Sequence, residues 1–222
     1  YKSLNNQIEF SEGASFFGGT NNWEDKIERN GKGKSYGVEF LAQKEHGRLT
    51  GWIGYTLSYN YRKFDNINKG QWFPYKFDRR HYLTLVANYA LNENIVFSGD
   101  FVFNTGNAIT LPDGKYPTIN EEFNYGSFAN PFPVFTRVYD NTYTYPGRNQ
   151  SRMPVYHRLD CAVRFIKEKK KGTREWVISV YNVYSRQNPY FVYMEHDKQK
   201  QLHLYQISIF PIIPSFTYVR TF

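Results

Sequence analysis

Trp52-Ile53-Gly54-Tyr55-Thr56-Leu57-Ser58-Tyr59-Asn60-Tyr61-Arg62-Lys63 alternates from end to end. Ile53, Tyr55, Leu57, Tyr59 and Tyr61 share one parity; Gly54, Thr56, Ser58, Asn60 and Arg62 share the other. Successive side chains of an extended chain point to opposite faces, so this stretch makes one apolar and one hydrated face. A helix needs apolar residues three and four apart, and that spacing is almost absent from the chain.

The same period recurs on both sides. Tyr36, Val38, Phe40 and Ala42 oppose Gly37, Glu39 and Gln43. Leu83, Leu85, Ala87 and Tyr89 oppose Thr84, Val86 and Asn88. Ile95, Phe97, Gly99, Phe101 and Phe103 oppose Val96, Ser98, Asp100, Val102 and Asn104. His157, Leu159, Cys161, Val163 and Phe165 oppose Arg158, Asp160, Ala162 and Arg164. Several runs last roughly 12 to 16 residues, long enough to cross a bilayer at a tilt, where soluble strands average about 5–6. Eight strands are expected, near 1–10, 33–45, 48–63, 79–91, 94–109, 155–168, 174–194 and 202–222.

The connections sort by parity. Glu45-His46-Gly47-Arg48, Leu91-Asn92-Glu93-Asn94 and Lys170-Lys171-Gly172-Thr173 are tight turns. Between them run long segments, Ser11 to Lys32, Phe64 to Asp78 and Leu111 to Pro154. Short turns on one side and long loops on the other are the habit of outer-membrane barrels. A soluble sandwich has no reason to sort its loops this way.

Composition bounds the function. Aromatics reach 19 %, with 20 Tyr and 19 Phe, which suits strands that end near water or headgroups. Mean hydropathy is -0.65, compatible with a barrel because only every second residue of a barrel strand meets lipid. No stretch approaches the 18 or so apolar residues of a spanning helix. The single cysteine, Cys161, excludes an internal disulfide and zinc clusters built on cysteine. The net charge of +8 comes from scattered residues without a nucleic-acid-binding motif, so no nucleic-acid partner is expected. His46, His81, His157, His196 and His203 lack metal-ligand spacing, and no nucleophile elbow or phosphate-binding loop is present. Neither catalysis, a metal nor a cofactor is expected.

Several stretches carry a family resemblance. Gly33-Lys34-Ser35-Tyr36-Gly37-Val38-Glu39-Phe40 is similar to the G-x-x-x-G-x-E strand opening of TonB-dependent receptors. Ile178-Ser179-Val180-Tyr181-Asn182-Val183-Tyr184-Ser185 resembles their penultimate strand, with its v-x-N-l-f/y-n/d pattern. Tyr145-Pro146-Gly147-Arg148-Asn149-Gln150-Ser151-Arg152-Met153-Pro154, followed by Tyr156-His157-Arg158-Leu159-Asp160, resembles the R-x-P-x-y-h-R-l-D segment of Bacteroidota members, SusC/RagA-like receptors among them. The Pro-rich last strand ending in Phe222 fits the same family.

The resemblance implies an all-β, antiparallel up-and-down transmembrane β-barrel. Residues 1–222 would form about the last eight strands of a plugged 22-stranded barrel. The plug, the N-terminal strands and the TonB box would lie outside these residues. The implied function is binding of a nutrient at the cell surface and its import across the cell outer membrane. The implied partners are outer-membrane lipid and lipopolysaccharide, TonB, the barrel assembly machinery and a SusD-like surface lipoprotein.

Two alternatives stay open on the residues alone: a free-standing eight-stranded barrel with a structural or adhesive role, and a soluble β-sandwich binding module. The expected sites follow. Trp23, Trp72, Tyr125 and Tyr143 are ligand candidates in the long loops, although aromatics there could equally pack on one another. Glu39, Asp100, Arg158, Asp160 and Arg164 should face the lumen, lining a path, binding a plug, or pairing across strands. Phe216, Tyr218 and Phe222 resemble the terminal assembly signal of outer-membrane proteins, or else form an ordinary amphipathic last strand. Pro211 and Pro214 remove ladder donors and predict a bulge or a weakly paired edge.

Overall fold

The computed structural model describes residues 1–12, 22–124, 134–170, 172–198 and 201–222. Eight strands run in sequence order through one antiparallel sheet, and the two-residue strand Phe73–Pro74 pairs beside the third of them. The eight are β1 (Lys2–Phe10), β2 (Ile27–Lys44), β3 (Leu49–Lys63), β4 (His81–Asn92), β5 (Ile95–Asn104), β6 (Tyr156–Lys169), β7 (Gly172–Tyr181) and β8 (Ile213–Arg220). Each strand pairs with the next along the chain, as a meander requires. β1 and β8 do not pair with each other, so the sheet is open at both edges. Among the described residues no helix is long and apolar enough to cross a membrane.

Register settles which side chains share a face. Phe40, Tyr55, Leu83, Phe103 and His157 stand in one cross-strand row. Ala42, Ile53, Leu85, Phe101 and Leu159 form the next. Tyr89, Phe97, Val163, Ile178 and Phe216 form a third, and Phe165, Trp176 and Tyr218 a fourth. The apolar face is therefore continuous from β2 to β8. It is also uncovered: Val38 is 69 % exposed, Phe40 59 % and Phe216 60 %. A sandwich needs a second layer over this face, and no such layer lies on it among the described residues. Among the described residues, the cluster of buried hydrophobic side chains is Phe64, Ile67 and Phe73, in the loop that follows β3.

The turns sort as expected. Two residues join β4 to β5 and two join β6 to β7, and the β2–β3 link has four. Gly172 sits at φ +98 in the β6–β7 turn, where a Cβ would also come 2.0 Å from the Thr221 carbonyl oxygen. The chain terminus thus lies at the short-turn end, with the Thr221 N–H donating to Thr173 O at 2.9 Å.

Four expectations need correction. The strand expected over 174–194 ends at Tyr181, because Asn182 adopts a left-handed φ of 54° that breaks the extended run. Phe191–His196 instead pairs with Leu202–Ile207 as a separate ribbon outside the main sheet, and the last strand of that sheet is only Ile213–Arg220. Pro211 precedes that strand and Pro214 lies within it, on the sheet edge, where a missing donor costs least. The segment from Leu111 to Pro154 is not a bare loop. Gly114–Asn124 pairs with Val134–Thr144, and Ala108–Ile109 with Ser151–Arg152 at its base. Strand β2 begins at Ile27, six residues before the expected start at 33, which shortens the first loop.

Candidate functional site at the loop end of the polar face

Asp78 is the point on which the loop bases converge. Its side chain is fully buried, which is costly for a carboxylate unless every lone pair is met. The Asn60 backbone N–H donates to Oδ1 at 2.7 Å, and Arg80 Nε donates to Oδ2 at 2.9 Å. Arg152 completes the set, donating from one nitrogen to Oδ2 and from another to the Asp78 carbonyl. Arg80 also donates to the Tyr61 hydroxyl at 2.9 Å and lies 4.2 Å over the Tyr59 ring. Burial works against the Arg80 charge, but the neighbouring Asp78 and Tyr61 outweigh it and hold the guanidinium above its ordinary pKa.

Arg152 belongs to the stretch Arg148-Asn149-Gln150-Ser151-Arg152, and its neighbours tie other loops. The Arg148 N–H donates to Asn68 Oδ1 at 3.0 Å, and its guanidinium meets the buried Glu9 at 3.5 Å. Asn149 Nδ2 donates to the Pro74 carbonyl at 2.9 Å, and its N–H to Thr110 Oγ1 at 2.9 Å. One short segment thus pins β1, the β3–β4 loop and the chain around Thr110 that follows β5. Arg62, 8 % exposed, stacks 4.3 Å from the Tyr75 ring, a cation over an aromatic face in place of a carboxylate.

Beneath this knot, the polar face holds a cavity of about 320 Å³. Arg79, Tyr82, Asn104, Asn107, Tyr156 and Arg158 line it, with Met153 and Pro154 from the pinning segment. Tyr82, Asn104 and Tyr156 are directly opposed on β4, β5 and β6, which puts them on the face away from the apolar rows. Arg79 Nε donates to Asn107 Oδ1 at 2.8 Å. Arg158 donates to Asp160 Oδ2 at 2.9 Å and to the hydroxyls of Tyr156 and Tyr181 at 3.0 and 2.8 Å, with its guanidinium 4.1 Å over the Tyr181 ring. The site offers guanidinium, amide and phenol groups in a fixed array. It suits hydrogen bonding to a polar solute or to a protein segment. No family model, curated protein or solved structure matches the chain.

Asn182 locks the exit of β7. It is fully buried. Its N–H donates to Asp160 Oδ1 at 2.8 Å, its Oδ1 accepts from the Arg186 N–H at 3.0 Å, and its Nδ2 donates to the carbonyls of Arg186 and Phe210 at 2.9 and 3.0 Å. Replacement by Ala leaves buried partners unmet at a residue whose φ also favours Asn. Asn182→Ala is expected to cost about 2–4 kcal/mol, read from denaturant unfolding, with Asn182→Asp intermediate.

The expected lumen residues are brought together in the sense that matters: register places Glu39, Asp100, Arg158, Asp160 and Arg164 on one face. Two of them pair by ion contact, Arg158 with Asp160 at 2.8 Å; Arg164 takes Glu175 at 3.9 Å. Asp100 stands directly opposite Asp160. The loop aromatics are not gathered. Trp23 is 65 % exposed in the short 3-10 turn Trp23–Lys26. Trp72 packs instead under Lys34, whose Nζ is 4.4 Å from the ring. Tyr143 lies on the Val134–Thr144 ribbon opposite Lys115, and Tyr125 lies outside the described residues. Phe216 and Tyr218 flank Trp176, with ring centroids 5.5 and 4.7 Å away, and Phe222 is 87 % exposed under the Arg220 guanidinium.

His157 points to the apolar side, and its Nδ1 meets the Tyr184 hydroxyl at 2.8 Å. Among the described residues no three His, Cys, Asp or Glu side chains converge as a metal site. Asp78, Arg80, Arg152 and Asn182 escape a reading of alternation because they sit at strand ends. The run Asp78-Arg79-Arg80 before an apolar strand was the available signal.

Proposed function

We propose that this chain forms part of the wall of a TonB-dependent outer-membrane receptor, which binds a nutrient at the cell surface and imports it into the periplasm. The observation that carries the reading is the apolar face. It runs unbroken over seven adjacent strands, stays uncovered, and opposes a face bearing charges and a polar cavity. Such a sheet is unstable with water on both sides and is satisfied by lipid on one. The unpaired edges of β1 and β8 support a wider barrel over a self-closed eight-stranded one. In this reading the other strands of a 22-stranded barrel, the plug and the TonB box lie outside these residues. The loop-end cavity then faces the plug and the solute path, and the knot at Asp78 holds the extracellular loops in position.

Density-gradient separation of the source cell's envelope tests this. The polypeptide carrying these residues is expected in the outer-membrane fraction, resistant to carbonate extraction, and its deletion is expected to abolish growth on one class of imported nutrient. Recovery in the soluble fraction without detergent refutes the proposal.

A further inference from the structure

Lys167, Arg174 and Arg220 stand directly opposite one another on β6, β7 and β8, at the short-turn end of the apolar face. Like charges in directly opposed positions repel. The nearest carboxylates do not relieve them. Glu168 and Glu175 have the opposite parity and point to the polar face, where Glu175 meets Arg164. Among the described residues no carboxylate, that of Phe222 included, forms an ion pair with any of the three. Beside the row lies a cavity of about 360 Å³ lined by Lys169, Lys170, Arg174 and Arg220, with Gly172, Thr173 and Thr221, and by no acidic residue. Gly172 helps keep it open, because its φ of +98 and the close Thr221 carbonyl exclude a larger residue.

The surroundings decide what kind of anion fits. The row borders exposed aromatics on the same face, Trp176 at 45 % and Tyr218 at 44 %, with Phe216 beyond them at 60 %. A free ion would leave that surface in water. A lipid places its phosphate on the cations and its acyl chains along the aromatics. We propose that Lys167, Arg174 and Arg220, with the adjoining cavity, bind the phosphate-bearing headgroup of an anionic phospholipid at the short-turn end of the wall. This rests on the reading that the apolar face meets lipid.

The test uses the receptor as extracted from its membrane, in nanodiscs holding equal phosphatidylglycerol and phosphatidylcholine, with retained lipids counted by native mass spectrometry. The wild type is expected to retain phosphatidylglycerol selectively. Each cation removed should weaken retention about fivefold, so the Arg174→Gln/Arg220→Gln pair falls well below wild type. Lys44→Gln is the control: it lies at the same end of the same face, opposite Gly51 instead of another cation, and should retain the lipid. Thermal unfolding gives a second readout that changes sign. The double variant should melt above wild type in phosphatidylcholine alone, where repulsion is relieved, and below it when phosphatidylglycerol is present. Equal retention by wild type and double variant overturns the site while leaving the membrane reading intact. So does full displacement of the lipid by millimolar inorganic phosphate, which would make this a soluble-anion site. A protein that never enters nanodiscs sinks both readings together.

Discussion

Asp78→Ala is expected to destabilise the folded protein by about 3–5 kcal/mol, the range for removing one partner of a buried ion pair. The side chain of Asp78 is fully buried while Arg80 and Arg152 are only 27 % and 31 % exposed. Without the carboxylate, two guanidinium groups are left facing each other in a partly dry site. The Asn60 backbone N–H loses its acceptor as well. Asp78→Asn separates charge from shape, since the amide keeps an acceptor for Asn60 but not the charge that holds two arginines. It should recover only a minor part of the loss. Urea titration of detergent-solubilised protein, followed by tryptophan fluorescence, measures the stability change. Limited proteolysis locates it: cleavage should rise first between Phe64 and Asp78 and around Arg148, because these segments are joined through Asn68, Asn149 and Arg152. An Asp78→Ala protein as stable as wild type would show that the knot is ornamental.

The second large effect separates the two faces. Leu85→Arg should cost about 2–4 kcal/mol in a bilayer, whereas Thr84→Arg should stay within roughly 0.5 kcal/mol. Leu85 stands between Ile53 and Phe101 in the middle of the apolar rows. In the proposed receptor wall a guanidinium there is too far from either end to reach headgroups easily. Thr84 stands between Gly54 and Val102 on the opposite face, one residue away in sequence. The comparison therefore holds strand, depth and substituent constant and changes only the face. Unfolding titrations in phospholipid vesicles read both variants. Equal costs would remove lipid from the apolar side, and a larger cost for Thr84→Arg would invert the assignment of faces.

Of the site, Arg158 and Asp160 were legible as polar-face residues; Asp78, Arg80 and their assembly with Arg152 were not. The strand expected to run through Asn182 stops at Tyr181, because the asparagine takes a left-handed turn that the neighbouring Val and Tyr do not favour, and alternation carries no sign of it. That its amide would also bridge Arg186 and Phe210 depends on where residue 210 returns, 28 positions later. Arg152 and Asp78 are 74 residues apart, and no local pattern announces such a pair. The loop aromatics were conspicuous by type, yet type does not say whether a ring meets a ligand, a cation or water. Trp72 beneath Lys34 shows the difference. The ribbon Gly114–Asn124 with Val134–Thr144 was hidden because its alternation is weak and a turn-rich stretch reads as loop.

Alternation by itself determined that the chain is all-β, which side chains share each strand's greasy side, and that short and long connections take turns. Those are consequences of local geometry: an extended backbone has a period of two whatever surrounds it. Only the tertiary structure decided that neighbouring strands align these sides into one uncovered surface, that β1 and β8 stay apart, and that Asp78 gathers two distant arginines. Register, edge pairing and the meeting of remote charges depend on contacts between segments far apart in the chain. No window along the sequence contains both partners.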